Sequence, residues 1–282
     1  MQTIDKSLAH LQLTAPIIQQ LNNVGSGSRL PWHGQYNSLY NGASCEKYSL
    51  INTLSLWSVG QINNYTAHDW ASRLAWRESW NGKVREGEKG TLVVFFDLIS
   101  TSNKIHVDYV FNKNQIEGLP TTKHDFTPQS EESKLKDVDG FVTGLESRID
   151  YSAGSEVYFP SEDLISVPYH NCFPNTKHGT TTDHFYSALI RQHIHWSGHK
   201  SRMDRELSKH MEALVAELGT AYLCARFGIN MPPAQQNSKF ISSWVDLIKK
   251  DADMFFKVVK SASDAVKFLD EEFTKNSFVE TA

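Results

Sequence analysis

The 282-residue sequence predicts an α+β protein of two domains. Three observations carry this. The length matches about two ordinary domains of ~150 residues. β-rich runs gather in the first half, whereas long helical apolar stripes fill the end of the second. Between the halves, residues 121–140 (TTKHDFTPQSEESKLKDVDG) are polar and charged, with no sustained apolar period. A composition of 40% hydrophobic and 21% charged residues excludes a mostly disordered chain. Lys plus Arg is 28 and Asp plus Glu is 32, a net charge of −4, which excludes a polybasic protein. Nucleic-acid contact, if made, must then come from stacking and local patches.

The elements follow in order. Residues 1–28 read as an N-terminal arm ending in a Gly-Ser-Gly-Ser break at 25–28. Residues 29–120 form the first domain. Within it, Leu50, Ile51, Leu54 and Trp57 fall at helical spacing. TLVVFF (91–96) and IHVDYVF (105–111) are strand-like, and Gly87 and Gly90 bracket a turn before the first of them. Residues 121–140 are the expected linker and 141–282 the second domain. That domain begins with strand-like pieces at 157–159 and 164–167. Leu207, Met211, Leu214, Leu218, Tyr222 and Ala225 then make one helical stripe, with Gly228 where a C-terminal cap belongs. Phe240, Ile241, Trp244, Leu247 and Ile248 make a second stripe, and Phe255, Val258, Val259, Ala262, Val266 and Leu269 a third. No apolar run reaches the ~18 residues of a membrane span, and the start lacks the pattern of a secretory signal. Cys45, Cys172 and Cys224 lie far apart without a CxxC pair, so a disulfide framework is not expected and a reducing, cytoplasmic setting is.

Five of the seven tryptophans, Trp32, Trp57, Trp70, Trp76 and Trp80, lie in the first domain, interleaved with tyrosines. Unpaired bases stack on aromatic faces while cations hold the phosphates. Trp57 sits on an apolar stripe and reads as core. Trp32, Tyr36 and Tyr40 stand among Gly, Asn, Ser and His and, with Tyr48, are the candidate stacking residues. Lys83, Arg85 and Lys89, in or beside the glycine-bearing turn, are the candidate phosphate contacts. Residues 31–120 hold eight Lys or Arg and eight Asp or Glu, so the domain has no broad electrostatic footprint.

In the second domain, LIRQHIHWSGH (189–199) carries three histidines within seven residues. Residues four apart share a helix face, so His195 and His199 could hold one metal ion if the helix ran through Gly198. Glu212 and Glu217 are the carboxylates on the following helix. The spacing fits equally well histidines on a solvated or hydrogen-bonded surface.

Several motifs resemble those of the ArdC-like antirestriction proteins. YSLINTLSLW (48–57) resembles that family's YRGINxxLLW, VREGEKGTLVVF (84–95) its VRKGEKGTxVVF, and VFNKNQIEGL (110–119) its VFNxxQxxGL. In the second domain HWSGHKSRM (195–203) is similar to WTGHxSRL and the residues before it. ALVAEL (213–218), followed by Gly219 and Ala221, is similar to ELVAELGAA, and the stretch from Ile149 to Pro168 resembles IxYGG…YxPxxDxIxxP. The resemblance implies an N-terminal domain, shared with TraC-type primases, that binds single-stranded DNA, and a zincin-like metallopeptidase domain after it.

The chain departs from that pattern at the chemistry. The first His of HExxH falls on Arg191 and the catalytic Glu on Gln192. A guanidinium stays protonated and ligates no cation, and an amide is no general base. The expectation is therefore a single-stranded DNA-binding, antirestriction-type protein of a mobile element with a retired peptidase domain. No cofactor is expected, and Arg191 is expected to fill the cation position and pair with Glu217. The alternative is an active zinc peptidase rebuilt on His195, His199 and Glu217. Expected partners are single-stranded DNA and a host restriction or transfer protein, with no membrane.

Overall fold

The computed structural model describes residues 2–22, 30–33, 38–95, 104–119, 130–152, 154–233 and 241–279. Tyr36, Phe96, Phe240, the 25–28 break and the 121–129 part of the expected linker lie outside them.

The first domain runs β1 (Gln2–Asp5), α1 (Lys6–Asn22), β2 (Tyr40–Asn41), α2 (Leu50–Ile62), β3 (Asp69–Ser72), α3 (Arg73–Trp80), β4 (Lys83–Val84), β5 (Thr91–Val94), β6 (Lys104–Asn112) and β7 (Ile116–Glu117). β6 organises the sheet. β5 pairs antiparallel along one of its flanks, with Val94 opposite Val107 and Thr91 opposite Val110. β1 and β3 share the other flank, meeting Val107 and Val110 from opposite ends, and β2 extends β3 in parallel. Residues 2–22, expected as an arm, are thus built into this domain. β1 is a sheet strand, and α1 buries Ala9, Leu13, Ile17 and Leu21, a run at four-residue spacing. β4 and β7 form a separate ladder over a small core of Ala71, Trp76, Val84, Phe111 and Ile116.

The second domain runs α4 (Glu131–Thr143), β8 (Ile149–Tyr151), β9 (Val157–Phe159), β10 (Leu164–Val167), α5 (Thr181–Ser197), α6 (Lys209–Phe227), α7 (Ile241–Lys250) and α8 (Ala252–Val279). The end of the expected linker is the helix α4, started by a Ser130 cap and anchored by buried Val138 and Phe141. β10 is central, parallel to β8 and antiparallel to β9. A Thr180–Asp183 capping box starts α5. α6 starts on Ser208 and ends at Gly228, whose φ of +66° is the left-handed geometry glycine supplies cheaply. α5 and α6 touch closely: a Cβ on Gly219 would lie 2.8 Å from Ile194 Cδ1.

One hydrophobic core runs through both domains, with α1 against α7 and α2 against α8. Polar ties cross the same boundary. Tyr222 donates its hydroxyl to the Tyr48 carbonyl at 3.1 Å, and Lys6 pairs with Asp253 at 3.3 Å. Among the described residues no helix is long and apolar enough to cross a membrane.

Candidate functional site

Glu217 is the chemical centre of the second domain. It lies mid-way along α6, its side chain wholly buried, and receives donors from three directions. Arg191 on α5 places Nη2 at 2.8 Å from Oε2. Two donors to Oε1 come from the first domain: the Trp32 indole N–H at 2.9 Å and the His33 ring Nε2 at 2.6 Å. The His33 tautomer follows from its other nitrogen. Nδ1 accepts the Leu30 backbone N–H at 3.1 Å, so Nε2 is the side that donates. The segment is held in turn by Gln61, which donates to the Pro31 carbonyl at 2.6 Å. Burial pushes the Glu217 carboxyl up. The Arg191 guanidinium, His33 and the bonds donated by His33 and Trp32 outweigh that, and hold it well below the usual carboxylate range.

The neighbouring positions take separate partners. Gln192 is buried. His193 points away, donating Nδ1–H to the Leu189 carbonyl at 2.8 Å and accepting the Ser147 hydroxyl at Nε2 at 2.8 Å. Burial lowers its pKa to about 4, so the ring is neutral. His195 donates Nδ1–H to Glu212 Oε1 at 3.0 Å, and Arg205 clamps both Glu212 oxygens at 2.7 and 2.8 Å.

The expected metal set of His195, His199 and Glu217 does not converge. α5 ends at Ser197 with Gly198 as its cap, so His199 leaves the helical face of His195, and its Nδ1 lies 2.7 Å from the Ser201 hydroxyl. Glu217 is engaged by Arg191, Trp32 and His33. Among the described residues no group of three or more His, Cys, Asp or Glu is placed to hold a metal ion. A zincin domain implies a bound divalent ion, and these donors do not fit one. A permanently protonated guanidinium takes the carboxylate oxygen that an ion would need.

The stacking candidates of the first domain need correction. Trp32 is 2% exposed and spends its N–H on Glu217. Tyr48 is buried, its hydroxyl donating to the Trp70 carbonyl at 2.8 Å. Trp57, Trp70 and Trp76 are likewise core. Neighbouring polar residues did not mean exposure, because long-range hydrogen bonds let Trp32 and Tyr48 be buried with their polar atoms satisfied. Tyr40, in β2, stays half-buried.

The motif residues are structural. Asn52 donates to the Val94 carbonyl at 2.8 Å and accepts its N–H at 2.9 Å, so one side chain locks α2 to β5. Asn112 caps the turn after β6, and Gln115 donates to Glu88 and to the Lys89 carbonyl, both at 3.0 Å. Those bonds fix the 85–90 turn. Gly87 in it has φ +81°, and Gly90 approaches so closely that a Cβ would meet Tyr109 at 2.9 Å.

The turn carries the cations. Arg73, Lys83, Val84, Arg85, Glu86, Gly87 and Glu88 line an open pocket of about 340 Å³. Lys83 and Arg85 are exposed and paired to Glu117 at 3.2 Å and Glu88 at 2.7 Å. Lys89 is exposed beside them. Arg73, stacked 5.0 Å from the Phe111 ring, brings a charge from α3 that the spacing along the chain did not show. Hydrogen bonds from Gln115 and Arg85 hold Glu88 below the ordinary carboxylate range.

Two family profiles match in tandem. The N-terminal domain of anti-restriction factor ArdC matches residues 8–136, and a zincin-like metallopeptidase profile matches 136–262. Antirestriction protein ArdC of plasmid R388 is similar in its Mn(II)-bound crystal structure, with a TM-score of 0.75 and 28% identity over 94% of this chain and 97% of that one. Its metal-free structure gives 0.73 at the same identity, over 94% and 98%. An uncharacterized protein of Sinorhizobium fredii, y4eC, is 26% identical over 92% of this chain and 90% of its own length. DNA primase TraC of Escherichia coli is 24% identical over 93% of this chain, which spans only 19% of that protein. The chain belongs to the ArdC-like antirestriction family, an ArdC-type N-terminal domain followed by a zincin-like domain.

Proposed function

We propose that this protein binds single-stranded DNA of a mobile element as an antirestriction-type factor, and that its second domain is a peptidase fold that no longer cuts. The observation that carries the binding half is the cation-bearing turn, with Arg73, Lys83 and Arg85 lining one open pocket and Lys89 exposed next along the chain. Phosphate contact leads here and base stacking follows, since most of the tryptophans are enclosed. Tyr40 is the remaining described candidate ring of the original set. For the second half, Arg191 on Glu217 supports the reading of a retired centre. The DNA-binding domain would shield an entering strand, and the second domain would serve as scaffold or as dock for a host restriction or transfer protein.

Anisotropy of labelled oligo-dT, titrated with the full chain at several salt concentrations, tests this. Single-strand binding weakens with salt by a slope of roughly 0.7 per phosphate neutralised. Arg85→Ala with Lys89→Ala should therefore lower affinity and flatten the slope by about 1.4. Absence of salt-dependent binding by the unaltered chain sinks the proposal. Tryptophan quenching is a poor substitute, because the buried indoles would report little.

A further inference from the structure

We propose that the second domain keeps the supporting framework of a metal centre, with the Arg191 side chain standing in for the ion and Trp32 and His33 of the first domain completing the site. This rests on the reading of the second domain as a retired peptidase. The division of labour on Glu217 is the first argument. One oxygen, Oε2, faces Arg191, and the other, Oε1, takes the two donors of the first domain. A carboxylate that ligates through one oxygen is usually steadied by donors on the other. The outer donors are present here, and a guanidinium occupies the inner side.

His195 supplies the second argument. Its Nδ1–H is spent on Glu212, which leaves Nε2 as the lone-pair nitrogen, the tautomer a metal-bound imidazole adopts. Glu212 is itself fixed by Arg205, so the ring is oriented by two layers of partners. The third argument is position. Arg191 and His195 stand one turn apart on α5, and both reach α6, at Glu217 and Glu212. Advancing four residues on α5 goes back five on α6, so the helices run antiparallel here and present one face to each other. The motif departs at Arg191, at Gln192 and at Ala213, where ELVAELGAA has its first Glu, while Glu217, His195 and their partners remain.

Trp32 and His33 are therefore positioning residues, and the first domain is part of the second domain's centre. The test uses the full chain carrying Arg191→His and Gln192→Glu, dialysed against Zn²⁺ and then Co²⁺. Metal content and the visible absorption of tetrahedral Co²⁺ are the readouts. The unaltered chain should take up no stoichiometric metal, and the double variant about one ion per chain. Adding Trp32→Phe should weaken that uptake about 10- to 100-fold. A folded double variant that binds no ion, or a Trp32→Phe change without effect on affinity, overturns this inference alone. Stoichiometric metal in the unaltered chain would instead overturn the retired-peptidase reading beneath it. Should the double variant not fold, Arg191→Ala gives a second route. Millimolar guanidinium should raise its melting temperature, where the same concentration of Na⁺ does not, and equal effects of the two cations overturn the proposal.

Discussion

Replacing Arg191 by Met removes a charge while keeping an unbranched stem in its place. The Arg191 side chain is 14% exposed and the Glu217 side chain 0%. Breaking a buried ion pair from one side strands the other charge, at a cost of about 3–5 kcal/mol. Trp32 and His33 still donate to Oε1, which places the expected loss toward the lower end, near 3 kcal/mol. At about 2–4 °C per kcal/mol for a chain of this size, the melting temperature should fall by roughly 6–12 °C. The pH dependence gives the sharper check. In the unaltered protein the folded Glu217 carboxyl lies below its unfolded value of about 4.3, so its contribution is full above that pH and fades as the pH falls further. Without Arg191, burial is less opposed and the carboxyl moves up, so the folded variant takes up a proton more readily than the unfolded chain. The deficit should therefore be largest near neutrality and shrink toward about pH 5. Thermal unfolding of both proteins between about pH 7.5 and 5 measures this. An unchanged midpoint, or a deficit flat with pH, would show that the guanidinium does not hold this carboxylate.

Two further outcomes follow from the same geometry. The buried His193 ring, with its pKa lowered from 6.5 to about 4, stays neutral while the unfolded chain protonates, so stability is full above about pH 6.5 and falls by roughly 3 kcal/mol on the way to 4. His193→Gln should flatten that limb of the melting-temperature profile, and an identical profile would place the acid sensitivity elsewhere. Asn52→Leu removes the donor and acceptor that satisfy Val94, at about 1–3 kcal/mol for each stranded group. Urea unfolding should show the loss, with oligo-dT binding of the remaining folded protein intact.

The helical half of the fold was legible because its stripes are long. The 207–225 and 255–269 periodicities became α6 and α8, and Gly228 caps where expected. β1 was hidden, since a four-residue strand has little pattern of its own and its partner lies about a hundred residues on. α4 was masked by polar residues in its first turns, its apolar anchors being Val138, Phe141 and Val142 at the far end. For the site, the loss of HExxH at 191 and 192 was plain in the sequence, and so was the choice of Glu217 as counterpart to Arg191. The role of Trp32 and His33 was not, because they meet Glu217 across 185 and 184 positions. A polar residue inside an apolar helical run was the available signal for Asn52, and it marked a lock on a strand.

The continuous interior shared by the two halves has an evolutionary consequence. Separate modules are ordinarily free to be lost or exchanged one at a time. Here the helices of the second half shelter the first half's own apolar faces, so deletion would expose those faces to water. The two halves are therefore inherited as a single unit, whatever each contributes to activity.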